Sequence, residues 1–384
     1  MSFYPVILKL ERRIRLGSIA VSALFLLCLA TSLQAQEWPM FRGNPALTGV
    51  SSSTLPSQLV SLWKFKAGGP VRSSVVAVSN LVFFGSQDTH VYALNAKTGE
   101  KVWSKKTEGA VDAPGLVLGS TLYIGSGDGF LYALNIADGS EKWRYKTDDK
   151  ILAAPNFLVG SNNSLQILVG SYDNRLHSVD AGTGKSNWTY ETANYINGSP
   201  AISGNQTVFG GCDAILHVVS VLTGQKVKEI EAGAYVAGSV ALLNDRAYFG
   251  HYENEFLCID LKQEKVVWRF KDRAFPYFSS AAVSGNRVVF GGRDKKVHCV
   301  QAENGEPVWN FPTQGKVDSS PVICGDKVVV GSDDGRLYIL SLKDGSKLWS
   351  YEIGQAVGTS PAVAYGMVMV GADDGYVYSF GAKK

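Results

Sequence analysis

GSDDGRLYILSLKDGSKLW, residues Gly331–Trp349, is the stretch whose reading decides the fold. It contains a Gly-Ser pair, an Asp-Gly turn, a short apolar run, a second turn at Gly345 and a tryptophan at a fixed distance. The phrase returns with its first glycine at Gly85, Gly125, Gly170, Gly210, Gly250, Gly291, Gly331 and Gly371, at intervals of 40, 45, 40, 40, 41, 40 and 40 residues. Self-similarity at that period marks a repeat architecture. Each unit carries four strand-like runs; in the seventh they fall near Ser319–Cys324, Lys327–Gly331, Arg336–Leu342 and Lys347–Tyr351. Four short strands per repeat, arranged radially, predict an all-β, eight-bladed β-propeller of four-stranded antiparallel blades. The eighth copy stops at Phe380-Gly381, without a fourth strand or tryptophan. Leu59–Lys66, with Trp63, supplies that strand from the other end of the chain. Such pairing closes the ring and removes a free edge.

The bulk of the chain agrees. Hydrophobic residues make up 45% of the 384, with 41 glycines and 17 each of tyrosine and phenylalanine, which suits many strands and turns. Residues 1–35 read as an export signal: a basic head with Lys9, Arg12, Arg13 and Arg15, an apolar run from Leu16 to Ala30, and a small residue, Ala35, at the expected cleavage point. The apolar run is short against the ~20 residues that span a bilayer. Cys28 follows the bulky Leu27, which speaks against a lipid anchor there. The expected plan is a signal over 1–35, a lead over 36–55 and a single propeller over 56–384, exported to the periplasm or beyond and acting as a monomeric ring.

Removal of the signal takes away four basic residues and one acidic one, Glu11, which leaves 33 of each sign. A neutral chain is a poor partner for nucleic acid. The remaining cysteines, Cys212, Cys258, Cys299 and Cys324, show no zinc or redox spacing and read as small buried thiols.

Eight copies also allow an internal comparison. What recurs serves the fold; what differs can serve a ligand. The tryptophan recurs as Trp63, Trp103, Trp143, Trp188, Trp268, Trp309 and Trp349, with Lys228 as the exception. A stack of such rings between blades can bury roughly 150–250 Å² each, about 4–6 kcal/mol as an upper bound. The acidic turn recurs as Asp88, Asp128, Asp173, Asp213, Glu253, Asp294, Asp334 and Asp374. It lacks the further oxygen ligands of a calcium loop and reads as a tight turn held by its own side chain. His177, His217 and His298 share one strand position, which favours packing, and no metal site is expected.

The pattern G-[SG]-x-D-G-x-[LV]-Y-x-[LF] followed by [TD]-G-x-x-x-W resembles the repeat of the quinoprotein-like (PQQ-repeat) eight-bladed propellers and covers essentially the whole mature chain. One branch of that superfamily holds pyrroloquinoline-quinone (PQQ) dehydrogenases, which bind quinone and calcium in a central funnel. Another holds non-enzymatic propellers, including the B component of the outer-membrane barrel-assembly machinery. The chain departs from the enzymes: it has no adjacent cysteines and a single five-residue insertion, near residues 160–165. The resemblance therefore implies a scaffold in the cell envelope with a protein partner. PQQ and calcium remain the alternative.

Variable residues converge where the loop before strand one meets the loop between strands two and three. The positions just before strand one include Arg72, Asp112, Asn197, Phe278 and Asp318, expected to line the funnel. Blades 3 to 6 add Tyr172, Tyr195, Tyr235, His251, Tyr252, Phe275 and Tyr277 on the same face. Aromatic residues on loops suit a binding surface, and they suit a funnel plug equally well. No catalytic constellation is legible.

Overall fold

The computed structural model describes residues 36–56, 58–160 and 164–383; the expected export signal lies outside them. Eight sheets follow one another around a ring, and no helix interrupts the described residues. Blade 1 is Val76–Val78, Leu81–Gly85, His90–Asn95 and Lys101–Lys106, and blades 2 to 7 repeat its antiparallel order from the inside outward, blade 7 gaining a fifth, parallel strand, Val50–Ser51, at its inner edge. Blade 8 is Ala362–Ala364, Met367–Gly371 and Tyr376–Gly381, completed by Val60–Lys66. The closing register runs from Val60 opposite Gly381 to Lys66 opposite Tyr376. The expected closure is therefore present.

Tryptophan docking holds neighbouring blades together. Each fourth strand has a register shift beside the tryptophan position, a bulge that re-aims the side chain out of its own sheet. The indole N–H then donates to a carbonyl of the next blade: Trp63 to Ala96 (2.9 Å), Trp103 to Ile136 (2.8 Å), Trp309 to Leu342 (3.0 Å), and Trp349 to Leu59 (3.0 Å) across the closure. Except for Trp349, at the closure, the ring lies against a left-handed glycine of that blade. A Cβ on Gly99 would come within 2.6 Å of Trp63, and one on Gly345 within 2.6 Å of Trp309. Lys228 is an exception that keeps the rule. Its Nζ donates to Leu261 O at 2.8 Å, as an indole would, and Glu264 stands where the other blades have that glycine. The two form an ion pair at 3.0 Å.

The acidic turn does more than the expected local bonding. Asp88 Oδ1 accepts His90 N, as a tight turn requires, while Oδ2 accepts Gly68 N from the previous blade's exit and Tyr92 OH from strand three. Asp128 and Asp334 repeat the arrangement with Tyr132 and Tyr338. In blades 3 and 4 a histidine replaces the tyrosine. The turn is thus a second tie between blades.

The lead, residues 36–53, fills the ring's axis. It travels past the innermost strand of every blade and meets the groups those edges leave unpaired. Ala77, Val117, Ile202, Leu242, Val283 and Ile323 donate their N–H groups to carbonyls of Trp38, Pro39, Pro45, Ala46, Thr48 and Gly49. In blade 3 Asn156 Nδ2 donates to Pro45 O, and in blade 8 Val363 O accepts from Ser51 Oγ. Trp38 and Met40 are buried, whereas Phe41 stays half-buried. Arg42 is 1% exposed, and its guanidinium donates to the carbonyls of Ala281, Ser320 and Pro321. Burial lowers its pKa from 12.5 to about 9, and the three carbonyl oxygens are what hold its charge. Gly49 makes room for it, since a Cβ there would overlap the guanidinium.

Candidate functional site

The open end of the ring is the face carrying the loops before strand one and between strands two and three. Backbone bonds fasten each pair of loops, for example Tyr252 N to Tyr235 O and Arg293 N to Pro276 O. Beneath them a ring of hydroxyls runs round the axis. Ser74, Ser360, Ser320, Ser280, Ser239 and Ser199 each accept the N–H of the equivalent residue one blade before. The mouth therefore rests on a rigid floor.

On that floor the aromatics form two groups. Tyr172 and Tyr195 stack with centroids 4.9 Å apart and planes at 9°, and the Lys150 ammonium lies 4.5 Å over Tyr172. Burial raises the Tyr172 pKa, with smaller contributions from Cys212, Tyr252, Asp149 and Tyr195. The second group runs from Tyr235 to Tyr252 (6.2 Å) to Phe278 (4.4 Å), and Arg293 lies 3.8 Å over the Phe278 ring. Arg293 is itself held by Asp318 through two 3.0 Å bonds. Lys316 joins Asp318 (2.7 Å) to Asp333 (3.3 Å), and Arg72 meets Asp373 at 3.3 Å. Burial raises the Asp333 pKa against the pull of Lys316. A cavity of about 290 Å³ lies among Arg72, Lys316, Asp318, Asp333 and Asp373.

The lead, not the aromatics, pairs with the inner strand edges round the axis. Tyr195, Tyr235, Tyr252 and Phe275 are 44–50% exposed. Two expected members are absent from the surface. Tyr277 is fully buried against Phe256, Phe270 and Phe290, because it occupies the position of Val71, Val111 and Val317. His251 is 2% exposed, accepts Glu253 N on Nδ1, and takes the place of the buried Ser86 and Ser126. Of the expected funnel lining, Arg72 and Asp318 meet the cavity, Asp112 accepts from Gln87 (3.3 Å), and Asn197 donates to Cys212 Sγ (2.8 Å). Sequence reasoning missed Lys150, Arg293, Lys316, Asp333 and Asp373. Comparing the loop position Gln87, Gly127, Tyr172, Cys212, Tyr252, Arg293, Asp333 and Asp373 across copies would have found three of them.

In the mouth Asp318, Asp333 and Asp373 are paired with Arg293, Lys316 or Arg72, while Asp112 accepts from Gln87. The one group of three ligating side chains found among the described residues lies between blades 5 and 6 instead. No two cysteines are adjacent.

Solved structures share this architecture at low identity. BamB from Moraxella catarrhalis aligns with a TM-score of 0.70 at 19% identity, over 85% of this chain and 98% of that one. The computationally designed Ika8 protein gives 0.73 at 18%, over 84% and 98%. Quinohemoprotein alcohol dehydrogenase from Comamonas testosteroni gives 0.77 at 14%, over 91% and 81%. At these identities scaffold and enzyme alike attest the fold alone. No protein of curated function matches the sequence. The family model described as outer membrane protein assembly factor BamB matches residues 60–117, 87–275 and 267–384. With nearly every residue of the ring inside that match, the chain belongs to the BamB family.

Proposed function

We propose that the protein is a non-catalytic scaffold, exported to the cell envelope, whose open face docks a protein partner. The observation that carries this is the exposure of Tyr195, Tyr235, Tyr252 and Phe275 on loops fixed over a rigid floor, at positions where the other blades carry small or charged residues. Rigid aromatics with a cation alongside, here Arg293 on Phe278, are the composition of interface hot spots. The family's description as an assembly factor of outer membrane proteins supports the reading, and the basic head and apolar run of residues 1–35 support export. The ring needs no second copy to close and acts as a monomer.

Co-purification from native envelope tests it. Tyr235→Ala with Phe275→Ala should remove the partner, since truncated hot spots cost about 2 kcal/mol or more each, and should leave thermal melting unchanged. Retention of the partner by a folded double variant overturns the assignment of the face. Adding PQQ with calcium should give neither bound-cofactor absorbance nor dye reduction; either signal would overturn the non-catalytic reading.

A further inference from the structure

Blade 6 departs from its neighbours at one place in four ways. Blades 3 and 4 each hold a buried His-Asp pair, His177–Asp173 at 3.0 Å and His217–Asp213 at 2.8 Å. Both pairs are fully partnered. Asp Oδ1 accepts Arg175 N or Ile215 N, and His Nδ1 meets the hydroxyl of Tyr145 or Tyr190 at 3.0 or 3.1 Å. Blade 6 has the same pair, His298 Nε2 to Asp294 Oδ2 at 2.8 Å, without that support. Phe270, which has no hydroxyl, takes the tyrosine's place. Asp294 Oδ1 has no hydrogen-bond partner although its side chain is 0% exposed. Gly292 stands where other blades have Ser86, Ser126 or Ser332; a Cβ there would meet Asp294 Oδ1 at 2.3 Å, so the glycine admits the carboxylate. Lastly, Asp272 replaces the threonine that follows the tryptophan position by four residues at Thr107, Thr147, Thr192 and Thr313.

An orphaned buried carboxylate oxygen costs free energy unless something pairs with it. One ligand atom from each of Asp272, Asp294 and His298 lies within 4.8 Å of the others. We propose that these three side chains bind a divalent first-row transition ion, zinc being the best match, which joins the exit of blade 5 to blade 6. One imidazole nitrogen and two carboxylate oxygens form such a donor set, with water completing the coordination. Two carboxylates balance the charge of the ion. His298 binds through Nε2, which gives up its proton as Nδ1 takes one, leaving the ring neutral. A cavity of about 160 Å³ lined by Phe270, Asp272, His298 and Trp309 adjoins the site and has room for water. The Lys296 ammonium, 2.5 Å from Asp272 Oδ2, is the built-in competitor that the ion displaces.

Calorimetric titration of the chelator-stripped chain with Zn²⁺ tests this, read together with thermal melting. One ion should bind per chain and raise the melting temperature. Asp272→Asn should weaken binding at least about tenfold, while Lys296→Met should tighten it. His177→Gln, which breaks the equivalent pair in blade 3, should leave zinc affinity and stoichiometry unchanged. Asp272 is exposed, so its variant tests the site without a buried substitution. Absence of binding, binding indifferent to Asp272→Asn, or an equal loss in His177→Gln would overturn the proposal.

Discussion

Gly345→Ala puts the docking of the tryptophans to a quantitative test. Gly345 has φ of 73°, and a Cβ there would stand 2.6 Å from Trp309 Cε3 and 2.7 Å from Cδ2. The indole cannot simply withdraw. It is 8% exposed and its Nε1 donates to Leu342 O, three residues before the glycine. Two costs add. A left-handed alanine costs about 1–2 kcal/mol, and overpacking a fixed ring costs about 1–3 kcal/mol. The expected loss is about 2–5 kcal/mol, read as a fall in the urea midpoint at unchanged slope. Gly325→Ala separates the two costs, because Gly325 has φ of 59° and nothing within 4 Å of the added carbon. It should show the backbone cost alone. Glu264→Ala is the second control: that position already carries a side chain at φ of 58°, and only a half-exposed ion pair to Lys228 is lost, worth about 1 kcal/mol or less. If Gly345→Ala costs no more than Gly325→Ala, the tryptophan contact is not what requires glycine, and the account of blade docking fails.

Three further outcomes follow from the same geometry. Lys228→Trp alone should lower the melting temperature, because the Glu264 side chain occupies the docking space, whereas Lys228→Trp with Glu264→Gly should be at least as stable as the parent. Burial works to raise the Asp213 pKa, but the hydrogen bond and charge of His217 and the Ile215 N–H outweigh it, and the carboxylate sits below its ordinary value. Its stability contribution is therefore complete above about pH 4 and lost as pH falls through the folded value, so the deficit of Asp213→Asn, about 1–3 kcal/mol at neutral pH, should shrink in acid denaturation series below about pH 4. Burial pushes the thiols of Cys258 and Cys299 to about 12 and of Cys324 to about 11, while Cys212 is half-buried at the mouth. Among the four cysteines of the ring, a maleimide should modify Cys212 alone in the native protein and the other three only after unfolding.

What the sequence revealed divides along a physical line. A feature imposed on every blade is written many times, so the tryptophans, the acidic turns and the closing strand were legible from Gly331–Trp349 and its copies. Lys228 was legible only as an oddity. Its meaning needed Glu264, 36 residues on in the next blade, because docking pairs side chains across the ring rather than along it. Tyr277 was misplaced on the surface by its neighbours Phe275 and Phe278, although its alignment with Val71 and Val317 marks a core position. The lead was the least legible part. It meets the blades mainly through its own backbone carbonyls, which any sequence offers, and Arg42 has carbonyl partners instead of an acidic residue that could have been guessed.

That hidden lead bears on the question the sequence left open, binding surface or plug. An eight-bladed ring has eight inner strand edges whose N–H and C=O groups must be paired. Aromatic loops at the mouth would have been spent on that task had nothing else done it. Because Gln36–Ser53 enters from the face of the strand one–two turns, where Ser79 N donates to Glu37 and Tyr365 N to Gln36, it fills the axis from the opposite side. The floor is then complete without Tyr195, Tyr235, Tyr252 or Phe275, and their apolar area stays in water at a standing cost of roughly 25 cal/mol per Å². Four large side chains held in that state on one face, by loops fastened through backbone bonds, support the docking surface proposed above. A partner's surface is what would bury them.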